Sequence, residues 1–70
     1  MSSHQVLSNG GPLLLKVNEV AELLNLSTRT VWRLTSIGEL PSPISFGRSR
    51  RWVRITIEQY VAKKEKDAAA

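Results

Sequence analysis

NEVAELLNLSTRTVWRLTSIG, residues Asn18 to Gly38, reads as two short helices joined by a tight turn. Ala21, Leu24, Leu26, Val31 and Leu34 are spaced so that each helix turns small and apolar positions towards the other. The turn is Asn25-Leu26-Ser27. Asparagine enters the left-handed region at modest cost, so Asn25 can end the first helix. Ser27 is a good N-cap for the second, with Leu26 at N′ and Val31 at N4 placed as a hydrophobic staple. Gly38 follows as a natural C′ residue, with Pro41 soon after. This is the pattern of a helix-turn-helix, whose second helix normally lies in the DNA major groove.

Around that stretch, charge is unevenly spread. The chain carries +4 over 70 residues. Arg29, Arg33, Arg48, Arg50, Arg51 and Arg54 are opposed within their window only by Glu39, giving +5 between residues 29 and 54. The first 28 residues are near neutral at −1 and the last 16 balance to zero. Arginine is favoured where phosphate or guanine is gripped by a planar, forked donor. A basic patch on a recognition helix and the segment after it is the electrostatic footprint of nucleic-acid binding.

The second helix, Thr28 to Ile37, offers the candidate reading face. With Val31 and Leu34 inward, a step of about 100° per residue puts Arg29, Trp32, Arg33 and Ser36 on the opposite side, with Thr28 at its edge. Arg29 and Arg33 can fork to guanine or neutralise phosphate, and Ser36 can reach a backbone oxygen. Thr28 lies at a helix N-terminus, where backbone amides favour phosphate. Trp32 has two readings that the spacing leaves open: contact with a thymine methyl or sugar, or packing beneath the following segment.

Leu40 to Ile55, LPSPISFGRSRRWVRI, reads as a β-hairpin. Pro41 and Pro43 keep the entry extended. Ile44 and Phe46 alternate with Ser45, and Arg51-Trp52-Val53 is β-prone. Gly47-Arg48-Ser49-Arg50 is the expected turn. After a helix-turn-helix such a hairpin is a wing. Arg48, Ser49 and Arg50 at its tip, with Arg51 and Arg54 on the returning limb, are candidate contacts to the adjacent minor groove or phosphates. Phe46 and Trp52 are read as its anchors in the core, with stacking on single-stranded bases the lesser alternative.

The flanks say less. Residues 1–12, MSSHQVLSNGGP, are polar and read as a disordered arm or leader with no role on DNA. His4, alone and without cysteine, is neither a metal ligand nor a base. Asn18 is the expected N-cap of the first helix, with Glu19 and Glu22 compensating its dipole and Val20, Ala21, Leu23 and Leu24 as its buried face. The last helix is expected to open on the capping box Thr56-Ile57-Glu58-Gln59, with Ile55 and Tyr60 as staple. Its stripe of Ile57, Tyr60 and Val61 would dock on the two preceding helices. Residues 64–70 read as a charged, flexible tail. Without cysteine, a long apolar run or a signal pattern, the expected chain is one small cytoplasmic, nucleoid-associated domain at 13–63 without a cofactor.

Leu14 to Val61 resembles the short excisionase-type and AlpA-like regulators, winged helix-turn-helix proteins of the MerR-like superfamily from phages and other mobile elements. The matching residues are Glu19-Val20-Ala21-Glu22-Leu23-Leu24, Leu26-Ser27-x-x-Thr30-Val31-x-Arg33-Leu34, Gly38-Glu39-Leu40-Pro41, Gly47-Arg48, Arg51-Trp52 and Ile57-Glu58. Asn25 stands where many such proteins have glycine, and Thr56 where an acidic cap is common. The resemblance implies a mainly α fold with a small β-hairpin: helix-turn-helix, two-stranded wing at Ile44–Val53 and C-terminal helix. It implies either a recombination directionality factor partnering an integrase or a small transcriptional regulator. The expected partner is double-stranded DNA, bound by a monomer that loads cooperatively on adjacent sites. The rival class is a protein-interaction adaptor with weak DNA contact. RNA binding lacks an aromatic platform or glycine-rich clamp. An enzymatic role has no catalytic constellation to support it.

Overall fold

In a computed structural model, which describes residues 12–69, the chain runs β1 (Leu14–Leu15), α1 (Val17–Leu24), α2 (Thr28–Ser36), β2 (Ile44–Phe46), β3 (Ser49–Val53) and α3 (Arg54–Ala69). The expectations for the N-terminal arm and His4 lie outside the described residues, apart from Pro12.

The helix-turn-helix is closed by the same device twice. Asn25 adopts φ 57 and ψ 43. Its N–H donates to the Glu22 carbonyl at 3.2 Å and that of Leu26 to the Ala21 carbonyl at 2.8 Å. At the end of α2, Gly38 has φ 81. Gly38 N–H donates to Thr35 and Glu39 N–H to Leu34, at 3.2 and 2.9 Å. Both pairs are the Schellman pattern, which satisfies carbonyls that a helix end would otherwise strand. Between them, Ser27 caps α2 by accepting from Thr30 N–H at 3.1 Å.

The entry to α1 differs from the expectation. Lys16 rather than Asn18 is the N-cap. Glu19 decides this, because its Oε1 accepts from the Lys16 N–H at 2.8 Å, the return half of a capping box. Val20 and Ala21 are buried as expected, but Leu23 is 50% exposed. At about 100° per residue it falls well off the stripe that Val17, Val20, Ala21 and Leu24 share. Leu26 is likewise 39% exposed; it serves the turn through its backbone rather than its side chain.

Leu14 and Leu15, read from sequence as a lead-in, form a strand. Leu14 pairs with Val53 and Leu15 with Trp52, so the sheet is three-stranded and antiparallel in the order β1-β3-β2. Across the hairpin, Ile44 pairs with Arg51, Ser45 with Arg50 and Phe46 with Ser49. Its connection is the two residues Gly47-Arg48, with Gly47 at φ 63. Ser49 and Arg50 are therefore paired strand residues and not part of the turn.

Strand β3 passes into α3 without a linker. Thr56 consequently sits inside the first turn instead of capping it, and Ile55 is exposed instead of stapled. Arg54 holds the junction. Its N–H donates to Leu13 O at 2.9 Å, and its Nε meets Glu58 Oε2 at 3.0 Å one turn along the helix. Beyond residue 63 the chain continues as helix to Ala69.

Leu15, Val20, Ala21, Val31, Leu40, Trp52 and Ile57 make the buried core, with Val17, Leu24, Leu34 and Tyr60 packed against it. Every element except β2 supplies a member. Phe46, expected as a core anchor, is 52% exposed, since its pairing with Ser49 puts it on the sheet face away from Trp52. The expected anchor Trp52 is buried, and its indole N–H donates to Pro41 O at 2.9 Å. Helix α3 packs mainly on β3, through Ile57, while Val61 stays exposed.

Candidate nucleic-acid interface

Helix α2 buries Val31 and half-buries Leu34, and leaves Thr28, Arg29, Arg33 and Ser36 exposed on its other side. No acidic residue sits in its first turn. The positive end of the helix dipole at Thr28 therefore has no acidic side chain beside it within the helix. Ser36 Oγ donates to the Arg33 carbonyl at 2.8 Å, so a contact from it to phosphate requires that hydroxyl to turn outward.

Strand alternation sorts the wing residues by side. Arg50 lies on the face that Trp52 shares, whereas Ser49 and Arg51 lie on the other face, opposite Phe46 and Ile44. Arg48 is exposed at the turn. Arg51 is half-buried and its Nη1 donates to the Arg50 carbonyl at 2.9 Å. Arg54, expected on the returning limb, belongs to α3 and is paired with Glu58. The sequence-derived set therefore divides: Arg50 lies on the α2 side, Ser49 and Arg51 are on the other strand face, Arg48 stands at the turn and Arg54 is paired within α3.

Trp32 links helix to wing. It packs on Trp52 with ring centroids 5.1 Å apart and planes at 59°. The Arg50 guanidinium carbon lies 5.8 Å from the Trp32 centroid. Sequence spacing left Trp32 undecided between surface and core because the Trp32–Trp52 contact crosses 20 residues of chain. The structure makes it part of both, at 38% exposed.

Glu39, the one acid within the arginine window, is taken out of play by pairing with Lys64. The hydrogen bond and charge of Lys64, with a smaller contribution from Tyr60, hold the Glu39 carboxyl below its ordinary value, and Lys64 is correspondingly raised. Among the described residues the ion pairs are Arg54–Glu58 and Lys64–Glu39, so Arg29, Arg33, Arg48 and Arg50 carry their charge without a carboxylate partner. Among those same residues no cluster of His, Cys, Asp and Glu could hold a metal ion, and no helix is long and apolar enough to cross a membrane.

Two helices closed by a tight turn, a β-hairpin after them and arginines on both define a winged helix-turn-helix, a class of DNA-binding domain. Residues 14–65 match the model of the helix-turn-helix domain family, and the chain belongs to that family. No curated protein and no solved structure matches it.

Proposed function

We propose that the protein reads a short site on double-stranded DNA, with α2 in the major groove and the wing over the flanking backbone. Arg29 and Arg33 supply base contacts, while Thr28 and Ser36 approach phosphates at the two ends of the helix. Arg48 and Arg50 hold phosphates or the neighbouring minor groove, adding affinity more than discrimination. Ser49 and Arg51, on the other strand face, and Arg54, paired with Glu58, are the lesser candidates of the wing set. The observation that carries this reading is the exposed arginine face of α2, directly opposite Val31 and continuous through Trp32 with Arg50.

The biological setting we favour is that of an AlpA-like or excisionase-type protein, either controlling a promoter or biasing a recombinase towards excision with an integrase as partner. Catalysis is not part of this reading. A domain of this size buries a small interface on DNA, so monomers loading cooperatively on neighbouring sites supply the specificity.

The test is a titration of fluorescent duplexes at several salt concentrations, comparing random sequence with segments flanking the protein's own gene and any nearby attachment site. Sequence-dependent binding with a steep salt slope is expected. Weak binding without sequence preference would overturn the reading in favour of a protein-interaction adaptor, to be followed by a pull-down with the recombinase.

A further inference from the structure

Trp52 is immobilised by burial and by its hydrogen bond to Pro41. Trp32 rests on it at a tilt and separation where aromatic quadrupoles attract. The remaining exposed part of Trp32 meets the guanidinium of Arg50 at 5.8 Å, within cation–π range. Across the hairpin Arg50 faces the small side chain of Ser45, and no carboxylate pairs with it among the described residues. The Trp32 ring is thus the aromatic face that this guanidinium rests over.

We propose that Trp32 is a positioning residue: it holds Arg50 between recognition helix and wing in the free protein, ready for the DNA backbone. This rests on the DNA reading above and assigns Trp32 a task other than touching a base. Arginine has large rotamer freedom, and limiting it before binding lowers the ordering cost of the contact. Resting against a π-system consumes none of the five guanidinium N–H donors, so they stay available to fork onto a phosphate. The same contact ties the wing to α2, so the two arginine-bearing elements approach DNA as one surface.

The first experiment needs no DNA. In the NMR spectrum of the free protein, the Arg50 side-chain protons are expected upfield through the Trp32 ring current, to stay so in Trp32→Phe and to lose the shift in Trp32→Leu. An unshifted Arg50 in the wild type overturns the proposal. The second is a double-mutant cycle on duplex binding. Arg50→Ala should lose about tenfold in affinity and Trp32→Leu about two- to fivefold, and the double variant should lose no more than Arg50→Ala alone. Trp32→Phe should bind within about twofold of wild type, as it keeps an aromatic face. Losses that multiply, or a Trp32→Phe defect equal to that of Trp32→Leu, overturn the positioning role while DNA binding stands. A wild-type chain that binds no duplex removes the DNA reading and this proposal together.

Discussion

At the scale of single residues, Arg33 and Arg48 separate two kinds of contact. Arg33 is exposed on α2 opposite the buried Val31, where a forked donor can meet a guanine edge. Arg33→Ala should cost about 1–3 kcal/mol on the best site and flatten base preference at one position. Arg48 sits on the hairpin turn without a carboxylate partner among the described residues. Arg48→Ala should weaken all duplexes alike and lower the salt slope by about one unit for a lost phosphate contact. Binding isotherms on a panel of single-base variants at three salt concentrations check both. Equal loss of base preference in the two variants would refute this division of labour.

Elements here are bounded by backbone geometry more than by side-chain packing. Gly38 ends α2 at φ 81, and open space surrounds the position where a Cβ would stand. Gly38→Ala therefore has no clash to relieve, and its cost is left-handed strain alone, about 1–2 kcal/mol. Urea unfolding should show that loss at an unchanged m-value. The hydroxyl of Ser27, which accepts from Thr30 N–H, predicts a similar loss of about 1 kcal/mol for Ser27→Ala. Both variants should retain base preference when folded, since neither side chain belongs to the reading face.

For the whole molecule, a core of so few residues concentrates stability in Trp52, which joins β3, α2 and the Pro41 loop. Trp52→Ala should cost about 3–5 kcal/mol. Domains of this size hold roughly 0.05–0.15 kcal/mol per residue in total, so the variant should melt near or below working temperature. Calorimetry or circular dichroism measures this directly. The Glu39–Lys64 pair ties the end of α2 to α3 and has a defined pH signature. Glu39 is lowered, so its contribution is present above the ordinary glutamate value and lost as pH falls through the depressed one. Lys64 is raised, so its contribution persists into alkaline solution and is lost only above its ordinary value. Melting temperatures of wild type and Lys64→Met should differ slightly at pH 7 and converge as pH falls through the depressed Glu39 value.

Sequence alone determined what depends on neighbours along the chain. The turn Asn25-Leu26-Ser27, the cap at Ser27, the stop at Gly38, the exposed side of α2 and the existence of a hairpin are all local, because their hydrogen bonds span a few residues. Where local signals competed, nearby residues misled: Asn18 is a better cap by type than Lys16, yet the reach of Glu19 places the helix start earlier. The tertiary structure decided what depends on distant partners. Leu14 and Leu15 are too short a strand to show a period, and become one only because Trp52 and Val53 lie alongside. Phe46 is apolar enough for a core, but its register opposite Ser49 puts it on the sheet face away from Trp52, so it stays in solvent. The division of the arginines follows the same logic. Their positions announce a basic surface, but strand register and the contact of Trp32 with Trp52 choose Arg50 for the helix side and leave Arg51 on the other. Register and packing between segments far apart in sequence are set by which apolar surfaces meet, and no local pattern encodes that meeting.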